Sequence, residues 1–297
     1  MRIKNYIYIA ILAVICTSCN LNQFPISEIA ADDYIKDDAS LNTAVLGVYN
    51  GLYGVLYDEW AVTELRTDNA RSRATNSTSS DTKLIEQLDQ ATILTSNGYV
   101  GGYWDACYKA INRANTVLSK LDVCKNKDLA NQYKAEALFL RSHLYFNLVR
   151  LWGPVFIVTS KTGATEARQM QRSPVEQVYD LIITDLEEVV SDALLPEKMP
   201  ASDLGRADLN AAKSLLAKGY MTRFKPGSSE YERAKDLLHE VIMACGNPTS
   251  GAAMVPYDKI FATDNELNAE IIFAVRYKSG KLGVGAPFST LYGPMNN

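Results

Sequence analysis

Histidine is nearly absent from this chain of 297 residues: only His143 and His239 occur, and neither stands in a metal-ligand spacing, so a histidine-rich metal centre is excluded. Cysteine is scarce as well. Of five cysteines, Cys16 and Cys19 fall near the start, and the other three, Cys107, Cys124 and Cys245, are an odd number that makes no disulfide framework. Along or beside one helix, Cys107 and Cys124 would stand about 25 Å apart, beyond disulfide reach. These thiols read instead as small buried hydrophobes. Past the first eighteen residues no apolar run approaches the roughly 20 residues of a membrane-spanning helix. Positive charge is in deficit too: without Arg2 and Lys4 the chain has 28 basic and 34 acidic side chains, which disfavours a nucleic-acid partner. No stretch in the middle has the composition of a flexible linker, so the chain reads as one large domain or two closely packed ones.

What is present begins with a leader. Arg2 and Lys4 make a basic start, Tyr6 to Ile15 an apolar run too short to span a membrane, and Thr17 and Ser18 a small-residue approach to Cys19. Residues 1–18 therefore read as a signal peptide of the lipoprotein type, with Cys19 as the new N-terminus carrying a diacylglycerol on its sulfur. Three places earlier, where such signals usually carry Leu or a similar residue, stands Cys16. A leader cleaved without lipidation is the alternative. Acyl chains bury about 0.8 kcal/mol per methylene, so a multiply acylated Cys19 would tether residues 19–297 to a membrane while leaving them in water.

Apolar residues recur at spacings of three and four over 38–57, 104–121, 129–151, 174–194, 208–224 and 230–244, the signature of helices. The third of these is apolar on two faces, with Leu138, Phe139 and Phe146 on one and Leu140, Leu144 and Leu148 on the other, which predicts a helix sandwiched between layers. Gly153-Pro154 ends it, and Val155 to Val158 reads as extended. Ser173, Pro174 and Glu176 have the arrangement of a capping box opening the next helix. Leu216, Ala217 and Tyr220, followed by Tyr231 and Ala234, match the large, small and aromatic positions of a tetratricopeptide hairpin, and Ser142 and Tyr145 echo it. The fold class expected is mostly α: helical hairpins of tetratricopeptide type, long decorated loops and a few short strands, one of them at 270–276. Residues 66–103, rich in Ser, Thr and Gly, read as a long decorated loop, the kind of insertion that carries function.

Catalytic readings find little. Ser80-Asp81-Thr82-Lys83 and Lys161-Thr162-Gly163 imitate penicillin-recognising motifs, but the first reads as loop rather than the start of a buried helix. Asp185, Glu187 and Glu188 read as a solvated helix face rather than a hydrolase pair, and Gly280 to Gly285 has no strand and helix around it for a nucleotide site. No catalytic residue, metal or cofactor is expected. Binding is better served. Sugars offer apolar ring faces and vicinal hydroxyls, which suit aromatic rings and the paired hydrogen bonds of Arg, Asn and Asp. The decorated loop supplies Arg66, Asp68, Asn69, Arg71, Arg73 and Tyr99 as ligand-binding candidates.

Several stretches, in order and at matching spacing, resemble the SusD/RagB family of nutrient-binding outer-membrane lipoproteins. They are Cys19 followed by Phe24-Pro25, the helix with Gly47, Tyr49 and Leu52, WDACYKAINRANTVL at 104–118, AEALFLRSHLYFNLVRLWGPV at 135–155, RSPVEQVYDLIITDLEE at 172–188, GRADLNAAKSLLAKGYM at 205–221 and YDKIFATDNELNAEIIFAVRY at 257–277. The resemblance implies a surface-exposed lipoprotein of the outer membrane that binds an oligosaccharide or related nutrient and passes it to a TonB-dependent, SusC-like transporter. It also adds Tyr292, near where the family often supplies an aromatic, and assigns Trp104 to packing. Family members usually continue well beyond the position matching Asn297, so the resemblance covers their N-terminal part. The alternative is a tetratricopeptide-like adaptor, whose exposed aromatics would line the concave helical face rather than loops at one end.

Overall fold

The computed structural model describes residues 34–72, 80–160, 162, 164–245, 254–278 and 285; the leader, Cys19, Arg73 and Tyr292 lie outside them. By contacts the chain divides into Met1–Lys36 and Asp37–Asn297, and the second unit holds every helix named here. Six long helices are α1 (Asp38–Thr63), α3 (Gly98–Leu118), α4 (Lys127–Trp152), α6 (Val175–Ser191), α7 (Leu209–Arg223) and α8 (Ser229–Cys245), with shorter α2 (Ser80–Asp89), α5 (Ala164–Gln169) and α9 (Tyr257–Ile260) between and after them.

Local chemistry sets the starts of these helices. Asp37 and Ser40 form a reciprocal capping box on α1, the Asp37 carboxylate accepting from the Ser40 N–H at 2.8 Å and the Ser40 hydroxyl accepting from the Asp37 N–H at 3.0 Å. Asn97, Asn126 and Asp208 cap α3, α4 and α7 through side chains that accept from the first-turn amides. At the other end of α4, Gly153 takes φ +67°, a conformation that favours glycine, and Pro154 follows. The expected box on α6 is corrected: Pro174 is the cap residue and no side chain caps it. Ser173 is engaged elsewhere, its N–H donating to Val155 O at 2.7 Å in an isolated antiparallel bridge.

The helices pair as α1 with α3, α4 with α6 and α7 with α8, and successive pairs stack through α3 on α4 and α6 on α7, while α4 also touches α1 and α7. This is the tetratricopeptide arrangement. α1 and α3 run antiparallel, Gly51 lying opposite Ala110 and Gly54 opposite Ala106; a Cβ at Gly51 would come within 3.0 Å of Ala110 Cβ, so glycine there permits the close crossing. α4 is buried on both faces, as its sequence predicts. Leu216, Ala217, Tyr220 and Ala234 are buried at the expected hairpin positions, and the Tyr220 hydroxyl reaches across to Glu187 Oε1 at 2.6 Å.

Three expectations are corrected by packing. Residues 66–103 are not one loop, since α2 forms within them and α3 begins at Gly98; Ser80 does open a helix, though an exposed one. Residues 270–276 are extended but form no strand, because no neighbouring strand offers a ladder; among the described residues, pairing is limited to two isolated bridges. The segment instead lies across α1 and α4, with the Phe273 ring against Tyr49, Phe139 and His143. Asp185, Glu187 and Glu188 are not a solvated face. Asp185 is buried against α4, where Arg141 Nε and Nη2 donate to its two carboxylate oxygens at 2.9 and 2.8 Å, and Glu188 pairs with Lys134.

His143 illustrates the cost of this packing. Burial, reinforced by the nearby charges of Arg150 and Lys218, lowers its imidazole from 6.5 to about 4. A base whose folded value is depressed binds its proton more tightly when unfolded, so its contribution is intact above about pH 6.5 and is lost as pH falls towards 4. Stability should therefore drop by about 2–3 kcal/mol over that window on account of this residue. Urea unfolding of wild type and His143→Gln at pH 7 and pH 4 measures it: the variant should lose less than the wild type, and equal losses would remove His143 from the account.

Candidate ligand-binding site

The end of the bundle where α1 stops and α3 starts is built as a small capped module. A 3-10 turn at Glu64–Arg66, the chain through Ser72, and α2 close over Ala61, Leu65 and Leu88, with Trp60, Ile85, Tyr99 and Val100 packed around them. Asn97 ties the module together: its side-chain amide donates to Leu84 O at 2.9 Å and Gln87 Oε1 at 3.1 Å, while its Oδ1 caps α3. Thr67 braces the connecting turn, donating to Glu64 O at 2.8 Å and accepting from the Asn69 N–H at 3.3 Å. Ser72 N–H donates to Asp89 Oδ2 at 3.3 Å, fastening the chain to the end of α2.

On this support Arg66, Asp68, Asn69 and Arg71 are all exposed. No side-chain ion pair joins Arg66, Asp68 or Arg71 to another described residue. The pairing of Arg66 with Asp68 that could have organised a loop is absent among the described residues. The backbone does that work instead, leaving two guanidinium forks, a carboxylate and an amide turned to solvent. Arg66 also borders a hollow of about 150 Å³ with Ile93 and Trp152 in its wall. Ile93 and the neighbouring Leu94, at 39% and 58% exposure, add apolar surface at this end that the sequence did not single out.

Tyr99 is placed differently from its expected loop position. It sits in the first turn of α3, half-buried edge-on against Trp60 at 5.8 Å, and its hydroxyl donates to Asp81 Oδ1 at 2.9 Å. Burial and the Asp81 carboxylate push its phenol well above the ordinary range. Trp104 packs, as anticipated, within Tyr108, Trp152 and Phe156, with the Arg172 guanidinium 5.5 Å over its ring.

A second concavity, unanticipated from sequence, runs along the seam of α1 and α3. It encloses about 660 Å³ between Tyr53 and Tyr57 of α1, Asp105 and Lys109 of α3, and Tyr277 of the crossing segment. Beside it Asp58 lies against Gly102, where a Cβ would collide with the carboxylate, and burial raises its acid to about 6. Among the described residues no group of three or more His, Cys, Asp or Glu is placed to hold a metal ion, and no helix is long and apolar enough to cross a membrane. Both surfaces can form hydrogen bonds and stacking contacts.

Comparison with known proteins agrees with this architecture. Residues 26–221 match the model of a SusD-like family described as starch-binding and associating with the outer membrane. SusD-like protein P25 of Formosa agariphila is 25% identical in an alignment that takes in 100% of this chain and 57% of that protein. Among solved structures, a laminarin-binding SusD-like protein superposes with a TM-score of 0.66 at 24% identity, over 80% of this chain and 51% of the other. Surface glycan-binding protein A of Bacteroides thetaiotaomicron, solved with laminarihexaose, superposes with a TM-score of 0.63 at 21% identity, over 82% and 50%. The chain thus spans about half the length of the proteins it matches.

Proposed function

This chain belongs to the SusD-like family, and on that premise we propose that it is an outer-membrane lipoprotein, anchored through Cys19, that binds a glycan without altering it and delivers it to a TonB-dependent, SusC-like transporter. Apart from the family, the observation that carries the binding role is the exposed Arg66, Asp68, Asn69 and Arg71 set on a rigid module at one end of the bundle. Guanidinium forks, a carboxylate and an amide that make no ion pair among the described residues are free to form paired hydrogen bonds with vicinal hydroxyls, and ordering those exposed side chains keeps the affinity modest. The relatives named for laminarin and glycan binding lend the ligand class, and Arg73 and Tyr292 remain candidates from the sequence. Among the described residues the buried titratable groups are engaged structurally: the Asp185 carboxylate is held by Arg141, and His143 packs between Phe139 and Phe273. An adaptor would use the concave helical face, and on α1 and α4 the chain's own Phe273 lies against Tyr49 and Phe139.

Handing over a ligand favours modest affinity, because a binder held over a pore already raises the local ligand concentration and tight binding would slow release. The test uses the full-length chain in mild detergent, run through native gels containing starch, laminarin, xylan or pectin. At least one polysaccharide should retard it, the double substitution Arg66→Ala with Arg71→Ala should cut affinity about tenfold without changing helix content, and no shortened sugars should accumulate. Retardation in none of the gels, or release of products by clean protein, would overturn the binding role. For the transporter, repeated recovery from the native membrane with no TonB-dependent barrel would remove that partner.

A further inference from the structure

From the seam between α1 and α3 we infer a second saccharide site, separate from the loop end, in which sugar rings lie on the tyrosines Tyr53, Tyr57 and Tyr277 and their hydroxyls pair with Asn50, Asp105 and Lys109. The inference rests on the glycan-binding role and adds a place the loop candidates do not include. Three independent features carry it.

The first is the aromatic wall. Tyr57 presents its ring to solvent at 58% exposure, which is uncommon for a large aromatic on a helix, and it stands one turn from Tyr53 on the same face. Tyr53 is locked in place: its hydroxyl donates to Arg276 O and its ring meets that of Tyr277 at 5.0 Å, tilted by 55°. A fixed ring pair beside an open one is the geometry on which an apolar pyranose face can lie without ordering the protein first.

The second is the facing polar row. Asp105 and Lys109 are separated by one turn of α3 and are exposed across the groove from Asn50, so that acceptor, cation and amide line up along the rim. Arg113, which also lines the groove, is tied to Gly47 O through Nη1 at 2.9 Å. The enclosed volume of about 660 Å³ falls within the range of small-molecule sites.

The third is the floor. Gly54 sits inside α1, where glycine is the least favourable residue after proline, and it is exposed. Packing does not demand it, since a Cβ there would meet Ala106 Cβ at an ordinary 3.6 Å, unlike the tight 3.0 Å at Gly51. A bare backbone at Gly54 keeps the groove open, and a long side chain at that position would fill it.

The same native gels test the inference. Gly54→Gln and Tyr57→Ala should each weaken retardation about tenfold, whereas Gly54→Ala, which adds one methyl and favours the helix, should bind within about twofold of wild type and melt at or above its midpoint. Thermal melts of all three establish that they fold. Full retention of affinity in both Gly54→Gln and Tyr57→Ala, in a wild type that is retarded, overturns the groove and leaves the glycan-binding role standing. Absence of any retardation of the wild type overturns both.

Discussion

Replacing Asp185 by Ala should lower the unfolding free energy by roughly 3–5 kcal/mol, because it strands a buried guanidinium. The Arg141 and Asp185 side chains are each only 7% exposed, and the pair joins α4 to α6 at the centre of the stack. Arg141 also donates through Nη1 to Asn115 Oδ1 at 2.8 Å, and the Asn115 amide donates to Val158 O at 2.7 Å, so the network reaches α3 and the connector after α4. Yet the pair itself is not a source of large net stability. Burial lifts the Asp185 carboxyl above its ordinary range even with Arg141 beside it, which shows how strongly the interior opposes its charge. Substituting both residues with Leu should therefore recover most of what the single change loses. Urea unfolding decides the matter. A single variant within about 1 kcal/mol of wild type would mean that water reaches the abandoned guanidinium.

The change with the largest cellular effect is Cys19→Ala. On the proposed anchoring, acyl chains attached at that residue would hold the protein at the membrane through many methylenes at about 0.8 kcal/mol each, and no described helix is long and apolar enough to span a membrane in their place. Nearly all of the protein should leave the membrane fraction or persist as the unprocessed precursor, and labelled fatty acid should fail to enter it. Equal labelling of variant and wild type would end the assignment of Cys19 as the anchor.

The helices and their pairing were legible because they depend on periodicities that survive in any single sequence: the two apolar faces of α4 and the Leu216, Ala217 and Tyr220 pattern of α7 are local facts with local consequences. What failed depended on partners far away in the chain. Glu136 reads as one more helical carboxylate, but it is fully buried, accepts from the Tyr49 hydroxyl at 2.7 Å and receives a two-pronged contact from Arg206 at 2.8 Å on each oxygen. Nothing next to Glu136 announces Arg206. Likewise, alternation at 270–276 satisfied the pattern of a strand while the rings of α1 and α4 satisfied its side chains. The loop candidates were chosen by residue type alone; the structure leaves Arg66 to Arg71 mostly exposed, but residue type could not show α2 forming behind them or Tyr99 turning in against Trp60. The seam of α1 and α3 was invisible for a similar reason: nothing local to Tyr53 and Tyr57 shows that α3, brought close at Gly51, and the distant Tyr277 border them.

The crossing segment also imposes an order of assembly. The helix pairs close over connections far shorter than the 223 residues that separate Tyr53 from Arg276, so loop-closure entropy favours their contacts first. That long closure is therefore expected to follow the helix pairs. On that order Tyr277 would reach its position beside Tyr53 late, and a partly folded chain would have the scaffold without the finished tyrosine wall.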